Sequence, residues 1–292
     1  MKLAYSVPAA LGLLGAATFG YAAGVERNAF RVREIDVPLL PAGAAPLRLL
    51  HLSDVHMTPG QRRKQAFIAE LADLAPDLVV TTGDNLSSPH GVPAMLDALE
   101  PLLHFPGAFV LGSNDYYAPK PKNPFKYFFP GHKRVHGDAN PWRDLVSGMT
   151  SRGWLDLTNR RTTLAVGGRT IEVAGVDDPH LKRDNLDIAD APVAMSDLHI
   201  ALVHAPEPRA LDRFAAAGFE LILCGHTHGG QLRLPGYGAI VTNCGIDRAR
   251  ARGLSRYGAA WLHVSPGLGT SPYAPVRFAC RPEATLLRLV SP

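Results

Sequence analysis

The feature that most constrains the fold of this 292-residue chain is a repeated unit: a short apolar, β-favouring run that stops abruptly at Gly, Asp, Asn or His. Residues 47–52 (LRLLHL) stop at Ser53-Asp54, residues 77–82 (DLVVTT) at Gly83-Asp84, and residues 108–111 (AFVL) at Gly112. Between them, residues 61–74 carry Phe67, Leu71 and Leu74 on one helical face. Residues 92–104 carry a second helical pattern that Pro101 should end or kink. Further strand-like runs lie at 170–174, 198–203, 220–224, 239–242, 261–264 and 285–290, and a helix at 207–217 is closed by Gly218, a natural C-cap. Strands alternating with helices predict a layered α/β domain. The strand-rich last third makes it mixed rather than purely parallel.

The polar residues with chemistry fall just past these runs. Asp54-x-His56 follows the first, Gly83-Asp84-Asn85 the second, and Gly112-Ser113-Asn114-Asp115 the third. His204 ends HIALVH, and Gly225-His226-Thr227-His228 follows ELILC. In open α/β sheets ligands bind beyond the carboxyl ends of the strands, so these loops should converge. Taken singly, D-x-H or G-D-N is an ordinary turn, and His204 an ordinary strand-end histidine. Their joint occurrence points to a cage for two divalent cations about 3.5–4 Å apart, a device suited to phosphoryl transfer. Imidazole with carboxylate favours Mn, Fe, Zn or Co over Mg or Ca.

The order D-x-H, G-D-x, G-N-H-D-like, H, G-H-x-H resembles the calcineurin-like metallophosphoesterase superfamily over residues 46–290. The ending GLGTSPYAPVRF…PE and the apolar amino terminus resemble a bacterial membrane-associated branch. The resemblance implies a four-layer double β-sandwich flanked by helices. It implies that Asp54, His56 and His228 bind one ion, His204 and His226 the other, and that Asp84 bridges. It also implies hydrolysis of a phosphomonoester or phosphodiester by a hydroxide held between the metals, with Asp84, Asn114 and His204 nearest the chemistry.

One block departs from the pattern, reading Gly-Ser-Asn-Asp where the family has G-N-H-D or G-N-H-E. Aligned without a gap, Ser113 replaces the ligand Asn and Asn114 replaces the acid His. A small backbone shift would instead bring the Asn114 amide to the second metal, and we take Asn114 as the ligand. An amide cannot be a general acid, so the leaving group should be protonated by water or by His132, His136 or His180. Asn85, Ser113 and Arg62 are expected to contact substrate. The altered block also motivates a second reading, a metal-binding scaffold with little turnover.

The flanks carry weaker signals. Residues 3–25 hold no charge and are followed by Glu26, Arg27, Arg31 and Arg33. This reads as a single membrane anchor, with a cleaved signal peptide and export as the alternative, and leaves the side of the membrane open. Residues 26–45, with Pro38 and Pro41, are expected to be a tether, and 46–292 the catalytic domain. Residues 116–141, rich in Pro, Lys, Tyr and Phe, are expected to form a cap-like loop. A net charge of +4 suits an anionic substrate or membrane face but shows no concentrated Lys/Arg stripe, so no nucleic-acid partner is expected. Arg62, Arg63 and Lys64 read as a solvated face or a phosphate-attracting helix start, and Asp177-Asp178-Pro179-His180 as a turn or a frame for the site. His51, His90, His104, His199 and His263 read as structural. Three cysteines outside any C-x-x-C pair argue against a disulfide scaffold, leaving only a Cys244–Cys280 bridge to consider.

Overall fold

Strand β2 (Leu47–Leu52) is apolar on both faces because it separates two cores. Leu47 and Leu49 enter one and Leu50 and Leu52 the other, as the period-2 alternation of a strand requires. The same division recurs in β3 (Leu78–Thr81), where Leu78 and Val80 face one core and Val79 the other. In β8 (Leu198–Val203) and β9 (Leu221–Cys224), Leu198, Ile200, Leu202, Leu221 and Leu223 enter the core shared with β2, while Ala201, Val203, Ile222 and Cys224 point away. Near-continuous apolar runs are the signature of sheets covered on both faces.

The computed structural model describes residues 2–121, 137–190 and 195–292, with side chains from residue 10 onward. The remaining strands of the described residues are β1 (Arg31–Pro38), β4 (Gly107–Phe109), β5 (Leu155–Asp156), β6 (Arg160–Val166), β7 (Arg169–Gly175), β10 (Arg233–Leu234), β11 (Gly238–Ala239), β12 (Gly253–Tyr257), β13 (Ala260–Val264) and β14 (Glu283–Val290). Two six-stranded sheets form, in the orders β1-β14-β2-β3-β4-β5 and β12-β13-β9-β8-β7-β6. Within each, the central strands run parallel, β2 with β3 and β4, and β7 with β8 and β9. The core between the sheets draws on both, and each outer face is covered by helices. On one side lie α2 (Arg62–Glu70), α3 (Val92–Leu99) and α5 (Trp142–Thr150). On the other lie α6 (Asp187–Asp190) and α7 (Pro208–Ala216). The architecture is thus mixed α/β, with two sheets flanked by helices.

Several expectations are corrected. Residues 31–38, expected in a tether, form strand β1, paired in parallel with β14 through all eight positions. As an edge strand it leaves Val32, Glu34 and Asp36 exposed on one face, while Val37 on the other is fully buried. Of residues 239–242 only Ala239 lies in a strand. Helix α3 ends before Pro101, as that proline dictates. Gly218 follows α7 with φ +90°. Cys224, Cys244 and Cys280 are all free. Most of the expected cap, including His132 and His136, lies outside the described residues. Its described ends meet where Tyr117 bridges to Ala139. Helix α1 (Lys2–Gly20) leaves Leu11, Leu13, Leu14 and Phe19 between 64% and 73% exposed. Among the described residues, no helix is long and apolar enough to cross a membrane.

Val37→Asp separates a tether from a strand. A partnerless carboxylate in the inter-sheet core should lower unfolding stability by more than about 2 kcal/mol, read from the urea midpoint, whereas in a tether the change would stay within about 0.5 kcal/mol.

Candidate metal centre

The loop after β2 is zipped to the loop after β3 by backbone hydrogen bonds from Asp54 N to Gly83 O (2.9 Å), His56 N to Asp84 O (2.9 Å) and Met57 N to Asn85 O (2.7 Å). On its other side, Leu268 N donates to Ser53 O (3.1 Å) and Gly269 N to Asp54 O (2.6 Å). His226 N, from the loop after β9, donates to both Asp54 carboxylate oxygens, at 3.1 and 2.9 Å. These ties impose strained backbone. Asp54, His56, Asp84, His226 and His228 all hold positive φ, between 47° and 68°. For non-glycine residues such conformations cost on the order of 1–3 kcal/mol each and concentrate at functional sites. Close approach also demands glycine. A Cβ on Gly225 would sit 1.9 Å from Ser53 Oγ, and one on Gly112 would sit 2.4 Å from Asp84 Oδ1.

The side chains form two overlapping clusters. Asp54, His56 and His228 each offer a ligand atom within 4.8 Å of the others, and so do Asp54, Asp84 and His204. His56 Nε2 lies 3.1 Å from His228 Nε2 and 3.6 Å from Asp84 Oδ2. His228 Nε2 is 3.6 Å from Asp54 Oδ1, and His204 Nε2 is 3.5 Å from Asp84 Oδ1. The outer ring nitrogens are already engaged. His204 Nδ1 meets the Thr82 carbonyl at 2.7 Å and His228 Nδ1 the Gly269 carbonyl at 3.1 Å. A carbonyl only accepts, so both rings hold a proton on Nδ1, and their neutral forms turn an Nε2 lone pair inward. His56 Nδ1 is held at 2.7 Å by Ser87 Oγ.

Acceptors facing acceptors in buried space repel unless a cation lies among them, and the His204 Nε2 atom is buried without a hydrogen-bond partner among the described residues. The residues present therefore fit divalent cations, and the imidazole–carboxylate mixture fits transition metals. Burial holds His56 and His228 well below the usual imidazole range, aided by Lys64 at His56 and by His56 itself at His228; both are thus neutral. Burial also pushes Asp54 up to about 6. Burial opposes charge on His204 too, but the Asp84, Asp178 and Asp54 carboxylates outweigh it and lift the ring to about 9. A proton thus occupies the place a cation would take.

The chain belongs to the calcineurin-like phosphoesterase family. Its model, described as calcineurin-like phosphoesterase, matches residues 47–230, which span the ligand loops from Asp54 to His228. It is accordingly a metal-dependent phosphoesterase. The protein YpbG of Bacillus subtilis (strain 168) is 30% identical over 86% of this chain and 83% of its own length. The metallophosphoesterase YkuE of the same organism is 28% identical over 100% of this chain and 96% of its own. The phosphodiesterase YaeI of Escherichia coli (strain K12) is 29% identical over 93% of each chain.

The remaining sequence candidates divide. Asn114 turns into the nest, its backbone N donating to Asp84 Oδ1 (2.7 Å) and its amide to Asp84 Oδ2 (2.6 Å). Ser113 opens the short helix α4 (Ser113–Tyr116) and is half-buried. His226 packs its ring 5.2 Å from that of His204, but its Nε2 faces the Asn243 carbonyl at 3.3 Å, outside both clusters. Asn85 does not reach the surface expected of a substrate contact. It is fully buried, with its amide on Asp115. Arg62 is exposed at the start of α2, away from the clusters, and lines a separate cleft. His180, on the turn after β7, packs its ring 4.3 Å from that of His226 and lies 3.9 Å from Glu207.

Sequence reading singled out neither Asp115 nor Arg277 as a support, and took His51 and His263 only as structural. Buried Asp115 accepts from Asn85 N, Leu86 N and Gly112 N at 2.8–3.1 Å, joining two ligand loops. Burial and the nearby Asp84 push its carboxyl up to about 7. Fully buried Arg277 donates from Nη2 to the carbonyls of Pro266, Gly267 and Gly269 (2.7–3.1 Å), fixing the loop that orients His228. A chain of single donors runs from the inter-sheet core to Asp54: His263 to His51 (2.8 Å), His51 to Thr82 Oγ1 (2.9 Å), Thr82 to Ser53 Oγ (2.8 Å), and Ser53 to Asp54 Oδ2 (2.7 Å). Its direction is forced. Ser53 spends its proton on a carboxylate and Thr82 spends its own on Ser53, so His51 must donate from Nε2 and accept at Nδ1. Burial holds both histidines well below their usual range, His263 at about 3, so both are neutral, as the chain requires. The signal for His51 and His263 was only a polar residue inside an apolar strand.

Because the His204 pKa is raised to about 9, the metal-free ring is protonated at pH 7. Divalent cation uptake should therefore release a proton. Apparent affinity should fall about tenfold per pH unit from this group alone as pH drops from 8 to 7. Calorimetry in buffers of different ionisation enthalpy measures the release, and cation uptake with no proton released at pH 7 would contradict it.

Proposed function

We propose that this phosphoesterase hydrolyses a phosphodiester or phosphomonoester with two divalent cations, Mn, Fe, Zn or Co. In this reading Asp54, His56 and His228 would hold one and His204 the other, with Asn114 and His226 completing the second set only if His226 turned from the Asn243 carbonyl, and Asp84 would serve both. The observation carrying it is the overlap of the ligand clusters at Asp54, with Asp84 oxygens reaching toward both His56 (3.6 Å) and His204 (3.5 Å). When bound, the ions supply Lewis acidity and an activated water.

The chain's residues prepare that chemistry. Carbonyl acceptors fix the tautomers of His204 and His228, and Asn114 fixes Asp84. His180 is the proton donor to the leaving group in this reading, because its ring packs 4.3 Å from that of His226 and an imidazole, unlike the Asn114 amide, can carry a transferable proton. Similarity to a phosphodiesterase favours a diester substrate. The exposed apolar side chains of α1 favour attachment at a membrane through the amino terminus, and with it a lipid-linked or envelope substrate. The alternative, a metal-binding scaffold with little turnover, draws on the absence of histidine at position 113 or 114.

Purified protein loaded with Mn should hydrolyse an aryl phosphodiester, and Asp84→Ala should abolish both turnover and metal content. Metal retained without turnover in the parent protein, across Mn, Fe, Zn and Co, would favour the scaffold.

His180→Gln should slow esters with poor alkoxide leaving groups by about 10²–10⁴-fold while sparing activated aryl esters. Equal effects on both substrate classes would remove His180 from the donor role.

A further inference from the structure

A second cationic site stands apart from the metal ligands. A cleft of about 270 Å³ opens between the start of α2, residues 27–30 and the 268–270 loop. Arg27, Arg62, Arg63 and Lys64 line it together with Asn28 and Thr270, and among the described residues no carboxylate does. Among the described residues, no ion pair joins any of these four cations to an acidic group. Lys64 is only 7% exposed; its ammonium donates to the Val55 carbonyl (2.7 Å) and Gln61 Oε1 (3.0 Å), which leaves its third N–H free. The Arg27 Nε atom is buried with no hydrogen-bond partner among the described residues. Burial, with Arg277 and Arg27 nearby, pushes the Lys64 amine down to about 7.

Setting three arginine charges around one cleft, beside a buried lysine whose ionised form burial and those charges oppose, is unfavourable unless an anion joins them. The first turn of α2 adds its partial positive charge. The cleft is smaller than a pocket for a whole drug-sized ligand, so it suits a charged group rather than an entire lipid. Its position narrows the choice. Arg27 and Asn28 follow, after Glu26 alone, on the apolar amino-terminal segment, whose Leu11, Leu13, Leu14 and Phe19 are exposed.

We propose that this cleft is a phosphate-binding site, distinct from the metal centre, that takes the phosphate of an anionic lipid headgroup or of a soluble phosphate compound. The wall between the two sites is thin. Lys64 grips the carbonyl between Asp54 and His56, and Gly269 abuts Val55 and His56 so closely that a Cβ there would lie 2.3 Å from Val55 O. The site does not depend on the cations, so it can be tested without them.

The test uses the full chain carrying Asp84→Ala and stripped with chelator, so that the metal centre cannot capture phosphate. Inorganic phosphate is titrated by calorimetry. Flotation is measured with phosphatidylcholine vesicles with and without phosphatidic acid. Each is repeated with Arg27→Gln, Arg62→Gln and Arg63→Gln combined, and with a control combining Arg143→Gln, Arg152→Gln and Arg160→Gln, which do not line the cleft.

Phosphate binding weakened about tenfold or more by the cleft triple alone assigns a soluble phosphate ligand. Capture that rises with phosphatidic acid and falls about a hundredfold in the cleft triple, but not in the control, assigns a headgroup. Absence of both effects, or equal losses in the two triples, overturns the proposal. Lys64→Met, with circular dichroism to establish its fold, should weaken the same binding. Unchanged binding in a folded Lys64→Met protein would also count against it.

Discussion

Everything at the centre of this molecule follows from placing electron-pair acceptors against one another in largely buried space. Asp54, Asp84, His56, His204 and His228 present oxygens and ring nitrogens 3.1–3.6 Å apart in buried space. Such a nest is unfavourable on its own, and the backbone that creates it holds five left-handed residues. The fold tolerates both because its two sheets are packed on both faces and can anchor the loops rigidly. In the metal-free protein the imbalance appears as a proton held on His204.

The supports around the nest share a logic. Each aims a hydrogen-bond donor at an atom that would otherwise be free to turn. Arg277 holds three carbonyls of the loop behind His228, and Asp115 gathers three backbone N–H groups from two ligand loops. The donor chain from His263 reaches Asp54 across the core between the sheets, tying the orientation of one carboxylate to the packing of both. None of these groups needs to touch substrate. They reduce the reorganisation that the site would otherwise undergo when charge develops in it.

The amino-terminal region joins this framework rather than hanging from it. Strand β1 extends the first sheet, Glu26 accepts the backbone N–H groups of Ala279 and Cys280, and Arg277 N donates to Ala22 O. The exposed apolar helix therefore leaves the domain close to Arg277 and the loop it braces. The cationic cleft lies at that same junction.

The sequence alone determined the alternation of strands and helices, the stops at Pro101 and Gly218, and the loops that bear the ligands, because short apolar runs ending in Gly-Asp or Gly-His carry a local physical meaning. It could also show that Asn114 is no acid, since that is chemistry of the residue type. Only the tertiary structure decided that Asn114 faces Asp84, that Asn85 lies beneath the site on Asp115, and that His226 turns its Nε2 to Asn243. Strand β1 was equally hidden: an edge strand with one wet face has too few apolar residues to announce itself, and its partner β14 lies some 250 residues away. His51, His263 and Arg277 look ordinary in the sequence because their importance comes from partners distant along the chain. A residue's type and its neighbours fix what it can do, but only long-range packing fixes which atom it meets.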